Sequence, residues 1–492
     1  MLAGMQLDGP QLIETNPPLV VWYSLLPASL TKLTHLSYTF SGEFIAIGLA
    51  LLSWFVCCKL IRMITSSEGG APWALALVTG VVELFLIERR LGELSLTLSN
   101  VGLKEYFVVI FLLPYFLTRL VASDRLTRTA RILIGIAAGL AICFKPHQIL
   151  AVLFYEAVVF IYKRDTRNLF RSEVFALAIT CVSYPLAVAV FCPMFLKAVL
   201  PMMLDTYWGL GDHTAFYMLA HQDSHHIAAT LLMFAIWICT RKFMRTSIVP
   251  VALLAASIGS GFAFALQHTG WSGHQLPAWD FVLLATGWMI VDLGASWAAK
   301  RQLEIRLSPL VYIGVGLVVV LLLGFQAMRV TKRQEARLLK QPTITQELAM
   351  RAAGARVYLL STSMPPFEVL LTHNLTWASR YAHLWMLPAI ALNETPAHPA
   401  GRPFKPIPPV ELAALADQVH REVTGDIAFW RPEVVFVEHF SPENPPSFDN
   451  LQWFLQDGNF SQEWTHYKLV KKVANFDGSL QNAYDEYVRV EN

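Results

Sequence analysis

A lysine, a proline and a histidine interrupt an otherwise apolar stretch of the chain, RILIGIAAGLAICFKPHQILAVLFYEAVVFIYKR. The apolar runs 132–144 and 149–162 flank the tetrapeptide KPHQ, and basic clusters stand at both ends of the stretch. Each run rises only about 20 Å as a helix, whereas the hydrocarbon core of a bilayer is about 30 Å thick. The pattern therefore predicts two short helices that turn back below the outer surface of a membrane.

The charge at the tip of this hairpin has two explanations. A lysine at such depth is costly unless it faces water, protein or an anion, and irregular backbone is tolerated there only where it lines a cavity. Lys145 and His147 could therefore face a phosphate in an outward-facing cavity, with Gln148 lining that cavity. Alternatively, Lys145 snorkels to the lipid headgroups beside an ordinary turn.

Two further segments carry polar residues at the predicted outer ends of apolar runs. Lys104 and Glu105 are either an ordinary charged helix end or a second pair that faces the same cavity. His274 and Gln275 lie in QHTGWSGHQLPAWD. They could point into the cavity or belong to an interfacial loop, where aromatic residues are common.

Acidic and aromatic residues elsewhere extend the set of candidates. Asp8 and Glu14 precede the first clear apolar span. Such acids could act as a general base or hold a divalent cation (Mg or Mn) that bridges phosphates, although loop acids are usually solvated. Asp205 and Trp208, in DTYWGLGDHT, could line a substrate cavity because sugars stack on aromatic faces. No P-loop, nucleophile elbow or dinucleotide fingerprint appears.

The composition indicates the class of protein that must position these residues. The chain has 492 residues, of which 55% are hydrophobic and 15% charged, whereas soluble proteins carry about 25% charged residues. About ten long apolar runs predict an all-α polytopic membrane domain of ten or eleven spans. The predicted spans are 43–60, 71–88, 105–122, 131–144, 149–162, 173–196, 226–240, 247–266, 278–297 and 308–328. No nucleic-acid partner is expected.

Basic residues alternate between the loops and predict an orientation. One set of loops holds 16 lysines and arginines, and the alternate set holds 6. The positive-inside rule makes the first set cytoplasmic. The N-terminal segment and the region after 330 then lie on the outer face.

The chain changes character near residue 330. RVYLLSTS, PEVVFVE, YKLVKKV and YDEYVRV predict short strands, because they are rich in β-branched and aromatic residues. About 160 residues suffice for one small α/β domain. Three parts are therefore expected: an outer loop and interfacial segment at 1–42, a multi-span domain at 43–329, and an extracytoplasmic α/β domain at 330–492.

Four segments together resemble the GT-C class of polyprenyl-phosphate-dependent glycosyltransferases, in the protein mannosyltransferase and lipid A aminoarabinose transferase group. ETNPPLVVWYSLLPA is similar to the family's stretch after its first outer loop. VGLKEYFVVIFLLPYFL is similar to a bacterial subgroup's G-Q-R-E-H-L followed by L-P-Y, with Leu103, Lys104 and Tyr106 replacing the commoner residues. GLAICFKPHQIL is similar to the subgroup's G-L-A and K-P-H, and GWSGHQLPA to its G-W-x-Y-H-x-x-P.

The resemblance implies a hexosyl- or pentosyltransferase of the bacterial inner membrane, with the C-terminal domain in the periplasm. Its partners would be the bilayer, a polyprenyl-phosphate sugar, and a glycan, lipid or protein acceptor. By position, Asp8 or Glu14 would be the base or metal holder, and Lys104, Lys145 and His147 would hold the donor phosphate. Glu105, Gln148, Asp205, Trp208, His274 and Gln275 would line the cavity.

The resemblance also raises an expectation about the start of the chain. Family members have a transmembrane helix before the first outer loop, and this sequence begins inside that loop. Either its start lies downstream of the natural one or the helix is absent. The alternatives to a transferase are a non-catalytic GT-C-like subunit with a protein partner in the cell envelope, and a transporter, which is disfavoured because no repeated half is visible.

Overall fold

The computed structural model describes residues 12–65, 71–84, 87–90, 93–96, 104–211, 214–300, 344–395, 404–441, 443–473 and 483–490. The chain forms two compact units. The α/β unit comprises Met1–Thr39, Val188–Thr214 and Arg333–Asn492, and the helical unit comprises Phe40–Ala187 and Ala215–Lys332. The α/β unit thus includes 188–214, which the composition does not group with the C-terminal region.

The described α-helices are, in chain order, α1 (Pro18–Thr34), α2 (Tyr38–Thr65), α3 (Pro72–Leu84), α4 (Lys104–Leu120), α5 (Arg128–Phe144), α6 (Ile149–Lys163), α7 (Ser172–Phe191), α8 (Leu200–Thr206), α9 (Ala215–Tyr217), α10 (Ser224–Thr240), α11 (Ile248–Ala265), α12 (Leu276–Lys300), α13 (Ile344–Ala349), α14 (Phe367–Thr372), α15 (Leu387–Glu394), α16 (Pro409–Trp430), α17 (Asn450–Phe454) and α18 (Gly458–Trp464). The strands are β1 (Ile87–Arg90), β2 (Glu93–Leu96), β3 (Arg356–Leu360), β4 (Thr376–Trp377), β5 (Val434–Val437), β6 (Tyr467–Val473) and β7 (Tyr484–Arg489).

Nine of the ten predicted spans coincide with helices, and the tenth, 308–328, lies outside the described residues. Five helical segments in the described ranges are long and apolar enough to cross a membrane: Phe40–Thr65, Ser172–Phe191, Ser224–Phe243, Ile248–Ala265 and Gly273–Lys300. Helices α5 and α6 have 17 and 15 residues, so they are longer than the apolar runs 132–144 and 149–162 but still shorter than the about 20 residues of a full span.

Two predicted spans are longer than the helices that they describe. The span 71–88 ends as a helix at Leu84, and Ile87–Arg90 pairs with Glu93–Leu96 as an antiparallel ribbon. The span 173–196 ends as α7 at Phe191, because Pro193 disfavours helical backbone at the residue before it.

The basic ends of α4, α5, α6 and α7 meet at one end of the helical unit. The Arg119 guanidinium contacts Glu156 through Nε and Nη2 at 2.6 and 2.9 Å, and Glu173 through Nη1 at 3.3 Å. Lys163 and Arg171 donate to carbonyl oxygens at the C-terminus of α4, where cations are favoured by the helix dipole. The loops between α4 and α5 and between α6 and α7, which the sequence assigns to one side of the membrane, therefore share one end of this bundle.

Glycines let these helices approach closely. A Cβ on Gly135 would stand 2.2 Å from the Glu173 carbonyl oxygen, and a Cβ on Gly139 would stand 2.5 Å from Thr180 Cβ. On α11, a Cβ at Gly259 would lie 2.4 Å from the Leu150 carbonyl oxygen. Small residues at such crossings are the usual means by which membrane helices pack, and here they bring α5 against α7 and α6 against α11.

The α/β unit contains a five-stranded sheet of order β4-β3-β5-β7-β6. Strands β4, β3 and β5 are parallel, whereas β7 and β6 are antiparallel to their neighbours. All four strands predicted from the sequence are confirmed. The two-residue strand β4 and the 22-residue helix α16, which follows the proline-rich segment, were not predicted. An apolar unit that is helical apart from the ribbon of β1 and β2, together with an α/β unit, confirms the predicted fold class.

Candidate functional site

The tip of the α5–α6 hairpin is a tight turn. Helix α5 ends at Phe144 because Lys145 precedes Pro146 and is held in an extended conformation, with φ −144° and ψ 86°. Residues Pro146–Gln148 form a single 3₁₀ turn, and α6 begins at Ile149. The predicted interruption of the apolar stretch is therefore present at the predicted tetrapeptide.

The ammonium group of Lys145 is buried and paired. Lys145 is 4% exposed and donates to the carboxylate of Glu105, which is 3% exposed and lies in the first turn of α4. The same oxygen, Glu105 Oε1, lies 3.5 Å from His274 Nε2. Lys145 therefore does not snorkel to the headgroups, and three segments distant in the sequence meet in one ionic cluster.

Two further predicted residues lie close to this cluster. His147, in the 3₁₀ turn at the tip, is exposed, so it does not share the burial of Lys145. Lys104 lies close enough to Lys145, His147 and Glu105 to interact with each of them electrostatically. With neutral imidazoles, the two lysines and the one carboxylate leave a net charge of one positive unit.

Neighbouring polar side chains hold the cluster in place. Gln148 is fully buried, and its Oε1 accepts from Ser260 Oγ on α11 at 2.8 Å. Thr269 Oγ1 lies 2.8 Å from His274 Nδ1, which leaves Nε2 facing Glu105. Neither Ser260 nor Thr269 stands out in the sequence, because one serine or threonine in an apolar run or loop carries no signal of its partner.

The structure places the other candidates elsewhere. Gln275 lies in the same 3₁₀ turn as His274, and its Oε1 lies 3.4 Å from Trp279 Nε1. Asp205 and Trp208 belong to the α/β unit, where Asp205 Oδ1 pairs with Lys405 Nζ at 3.1 Å and the Trp208 ring meets Phe404 edge to face.

Glu14 also belongs to the α/β unit, and Asp8 lies outside the described residues. Glu14 Oε1 accepts from the backbone and side-chain amides of Asn16 at 2.9 and 2.8 Å. The preceding residue, Ile13, pairs with Tyr381 as a β-bridge. Burial lowers the pKa of His383, and the carboxylates of Glu14 and Glu443 act in the opposite direction, so Glu14 lies near His383.

A second buried polar group includes Ser257, which lies one turn before Ser260 on α11. Ser257 Oγ is 2.6 Å from His226 Nε2, and His226 Nδ1 is 3.2 Å from Asp223 Oδ1. The order of the three side chains is that of a serine hydrolase triad. However, all three are at most 1% exposed, and the serine hydroxyl donates to the Ala278 carbonyl oxygen at 2.6 Å. This group ties α10, α11 and α12 together and offers no accessible nucleophile.

The described part of the chain contains no group of three or more His, Cys, Asp or Glu side chains that could hold a metal ion. Glu14 Oε1 is already engaged by Asn16. The described donors therefore do not form a Mg or Mn site, and the predicted divalent cation stays a prediction.

No family model matches the chain, and no curated protein matches it. Among solved structures, the chain is similar to ArnT from Cupriavidus metallidurans bound to undecaprenyl phosphate. The superposition covers 97% of this chain and 88% of that chain, with 12% sequence identity and a TM-score of 0.48.

Proposed function

We propose that the protein is an integral membrane glycosyltransferase that transfers a sugar from a polyprenyl-phosphate-linked donor to a glycan, lipid or protein acceptor outside the cytoplasm. One observation carries the proposal. Glu105, Lys145 and His274 come from three of the four motif segments that resemble the GT-C class, and they meet in a single ionic cluster. If these charged residues only marked the ends of separate helices, residues so distant in the sequence would not be expected to contact one another.

The net charge of the cluster suits the chemistry. Lys104 and Lys145 against Glu105 leave one positive charge, which matches the single negative charge of a sugar phosphodiester. The departing polyprenyl phosphate is a monoester with a charge of about −1.5 to −2. Preorganised cations that face a developing anion lower the barrier.

The reaction is a substitution at the anomeric carbon of the sugar. The bond from this carbon to the phosphate oxygen breaks, and its electron pair stays on the phosphate. The acceptor hydroxyl oxygen forms the new bond, and its proton goes to a carboxylate base. We assign that role to Glu14 or Asp8, as the family resemblance implies. We place the enzyme in the bacterial inner membrane, with 330–492 in the periplasm.

Lys145→Ala tests the proposal in membranes that contain the full chain. Transfer of labelled sugar from lipid to acceptor should be abolished, although folded protein should still be present in the membranes. The adduct with undecaprenyl phosphate in native mass spectrometry should also be lost. The matched control is Lys163→Ala, at the other end of the same hairpin, which should keep both. Unchanged transfer in Lys145→Ala would exclude this assignment.

One observation favours a second candidate, a non-catalytic membrane subunit of an envelope polysaccharide complex. Glu105 already neutralises Lys145 in a buried pair, and such a pair can be structural. This candidate predicts a protein partner that co-purifies with the full chain and no transfer by the purified chain. A purified chain that transfers sugar without a partner excludes it.

A further inference from the structure

Polar side chains gather where the two central parallel strands of the α/β unit end. Strand β3 leads directly into Ser361, Thr362 and Ser363, and β5 leads into Glu438. The two strands are neighbours, and the Glu438 amide donates to the Leu360 carbonyl oxygen at 3.0 Å. In open α/β sheets, ligands bind outside the carboxyl ends of the parallel strands.

The buried carboxylate of Glu438 holds the loops at this edge of the sheet together. It is fully buried and accepts from Ser361 Oγ at 2.6 Å, Ser441 Oγ at 2.7 Å and Ser363 Oγ at 3.2 Å. Three hydroxyl donors on one carboxylate fix the loops after both strands. The half-buried residues of these loops are therefore held in place without a ligand.

A second hydrogen-bonded group involves the same two loops. Thr362 Oγ1 donates to Glu443 Oε2 at 2.8 Å, and His383 Nδ1 lies 2.7 Å from the Thr362 carbonyl oxygen. Glu443 and His383 are both half-buried. Phe440 and Met364, in the loops after β5 and β3, have exposed fractions of 50% and 59%, so the same two loops carry both polar groups and exposed apolar surface.

A buried acceptor in the same loop lacks a donor. Asn444 is 4% exposed, and its amide donates to Asn450 Oδ1 at 2.8 Å. Asn450 in turn donates to the Glu438 carbonyl oxygen at 2.6 Å. The Oδ1 atom of Asn444 has no hydrogen-bond partner among the described residues. A buried polar atom without a partner is uncommon, and a ligand hydroxyl would supply the missing donor.

The carboxylates at this edge of the sheet indicate which ligands could bind there. His439 lies between Asp449 at 3.0 Å and Asp485 at 3.4 Å. Together with Glu438 and Glu443, the edge is rich in carboxylates, which repel phosphates and other anions. Carboxylates, an amide oxygen and an imidazole accept hydrogen bonds from hydroxyl groups, and an exposed phenyl ring packs on the apolar face of a sugar.

We propose that this edge of the α/β unit is a saccharide-binding site for a neutral or amino-bearing glycan. The identification of that glycan as the acceptor rests on the proposed function, whereas the site itself does not. Glu443, His383 and Asn444 accept from the sugar hydroxyls, and Phe440 supplies the stacking surface. Glu438 is a positioning residue, because it acts through the serines that it holds.

Saturation-transfer NMR on the full chain in lipid nanodiscs tests the site with three probes. Maltotriose is neutral, the glucosamine trisaccharide carries amines, and the galacturonic acid trisaccharide carries carboxylates. We expect saturation to be transferred from the protein to maltotriose or to the glucosamine trisaccharide, but not to the acidic trisaccharide. Glu443→Gln and Phe440→Ala should each weaken binding about tenfold. Phe440 is exposed and Glu443 is half-buried, so the variants should fold, and gel filtration checks this.

Two controls separate this inference from the proposed function. Glu433→Gln changes an exposed carboxylate before β5, which pairs with Arg356 at 3.4 Å, and should bind as the native chain does. Lys145→Ala should lose sugar transfer but keep saccharide binding. Three results would overturn the site: no transfer to either expected probe, full binding in both variants, or preferential binding of the acidic trisaccharide. Binding of Mg²⁺ or Mn²⁺ without any saccharide would overturn it as well.

Discussion

The buried pair of Lys145 and Glu105 allows stability to be separated from function. Replacing Lys145 alone by methionine leaves a carboxylate at 3% exposure among apolar helices, and removing one partner of a buried pair costs about 3–5 kcal/mol. Glu105→Gln alone leaves the ammonium in the same position and should cost a similar amount. The double variant, Lys145→Met with Glu105→Gln, has no buried charge here, so its stability should lie within about 1 kcal/mol of the native value.

The midpoint of thermal unfolding of the detergent-solubilised full chain, followed by fluorescence-detected gel filtration, reports these differences. A loss of 1 kcal/mol shifts the midpoint by roughly 2–4 °C in a domain of 150–250 residues. We therefore expect a loss of about 10 °C in each single variant and about 2 °C in the double variant. The order of the three values matters more than their size.

The same double variant then tests whether Lys145 contributes to the binding of undecaprenyl phosphate. It should be folded, yet it should bind undecaprenyl phosphate more weakly than the native chain, because the cation that we assign to the phosphate is gone while only Lys104 remains. A double variant as unstable as the single variants would refute the argument from buried charge. A stable double variant that binds undecaprenyl phosphate as the native chain does would refute the role of Lys145 in donor binding.

Three further predictions address the packing, the pH dependence and the orientation. Gly135→Ala places a methyl group 2.2 Å from a carbonyl oxygen of α7 and should cost about 1–3 kcal/mol of stability, whereas Gly48→Ala, which meets nothing within 4 Å, should not lower the unfolding midpoint. Burial raises the pKa of Glu438, so its contribution to stability is lost as the pH rises from about 4.3, the unfolded value, through the folded pKa. Glu438→Gln should therefore flatten the decline of the tryptophan-detected unfolding midpoint over this range, and an unchanged slope would contradict the assignment. In intact cells whose outer membrane has been removed, an impermeant maleimide should label Asn459→Cys but not Arg167→Cys, both tested in a background without exposed native cysteines; the reverse pattern would invert the proposed topology.

The sequence predicts those features that depend on neighbouring residues. Pro146 fixes the end of α5 locally, and the β-branched run VVFV fixes β5 locally, so both appear where expected. Apolar runs likewise predict nine helices well, because burial in a membrane selects composition over a whole run. The end of α7 is missed by a few residues, although Pro193 carries the signal.

The partners of the polar residues could not be predicted, because they depend on packing between distant segments. Glu105 and Lys145 are 40 residues apart, and Gln148 and Ser260 are 112 apart. Two arrangements of Lys145, towards an anion or towards the headgroups, were compatible with its position in the sequence. The buried pair with Glu105 is a third arrangement, and it requires knowledge of how α4 lies against the hairpin.

The order of synthesis gives the hairpin tip a consequence for membrane insertion. Glu105 leaves the ribosome before Lys145, so the lysine can enter the bilayer as half of a neutral pair. Ser260, which anchors Gln148, follows 112 residues later, and at about 5–20 residues per second this takes roughly 6–22 s. During that interval α5 and α6 lack the helix that seats their tip. Until then the turn is held against α4 by contacts such as the Glu105–Lys145 pair and the stacked rings of Phe107 and Phe144, so we expect Glu105 to matter for membrane insertion as well as for the finished site.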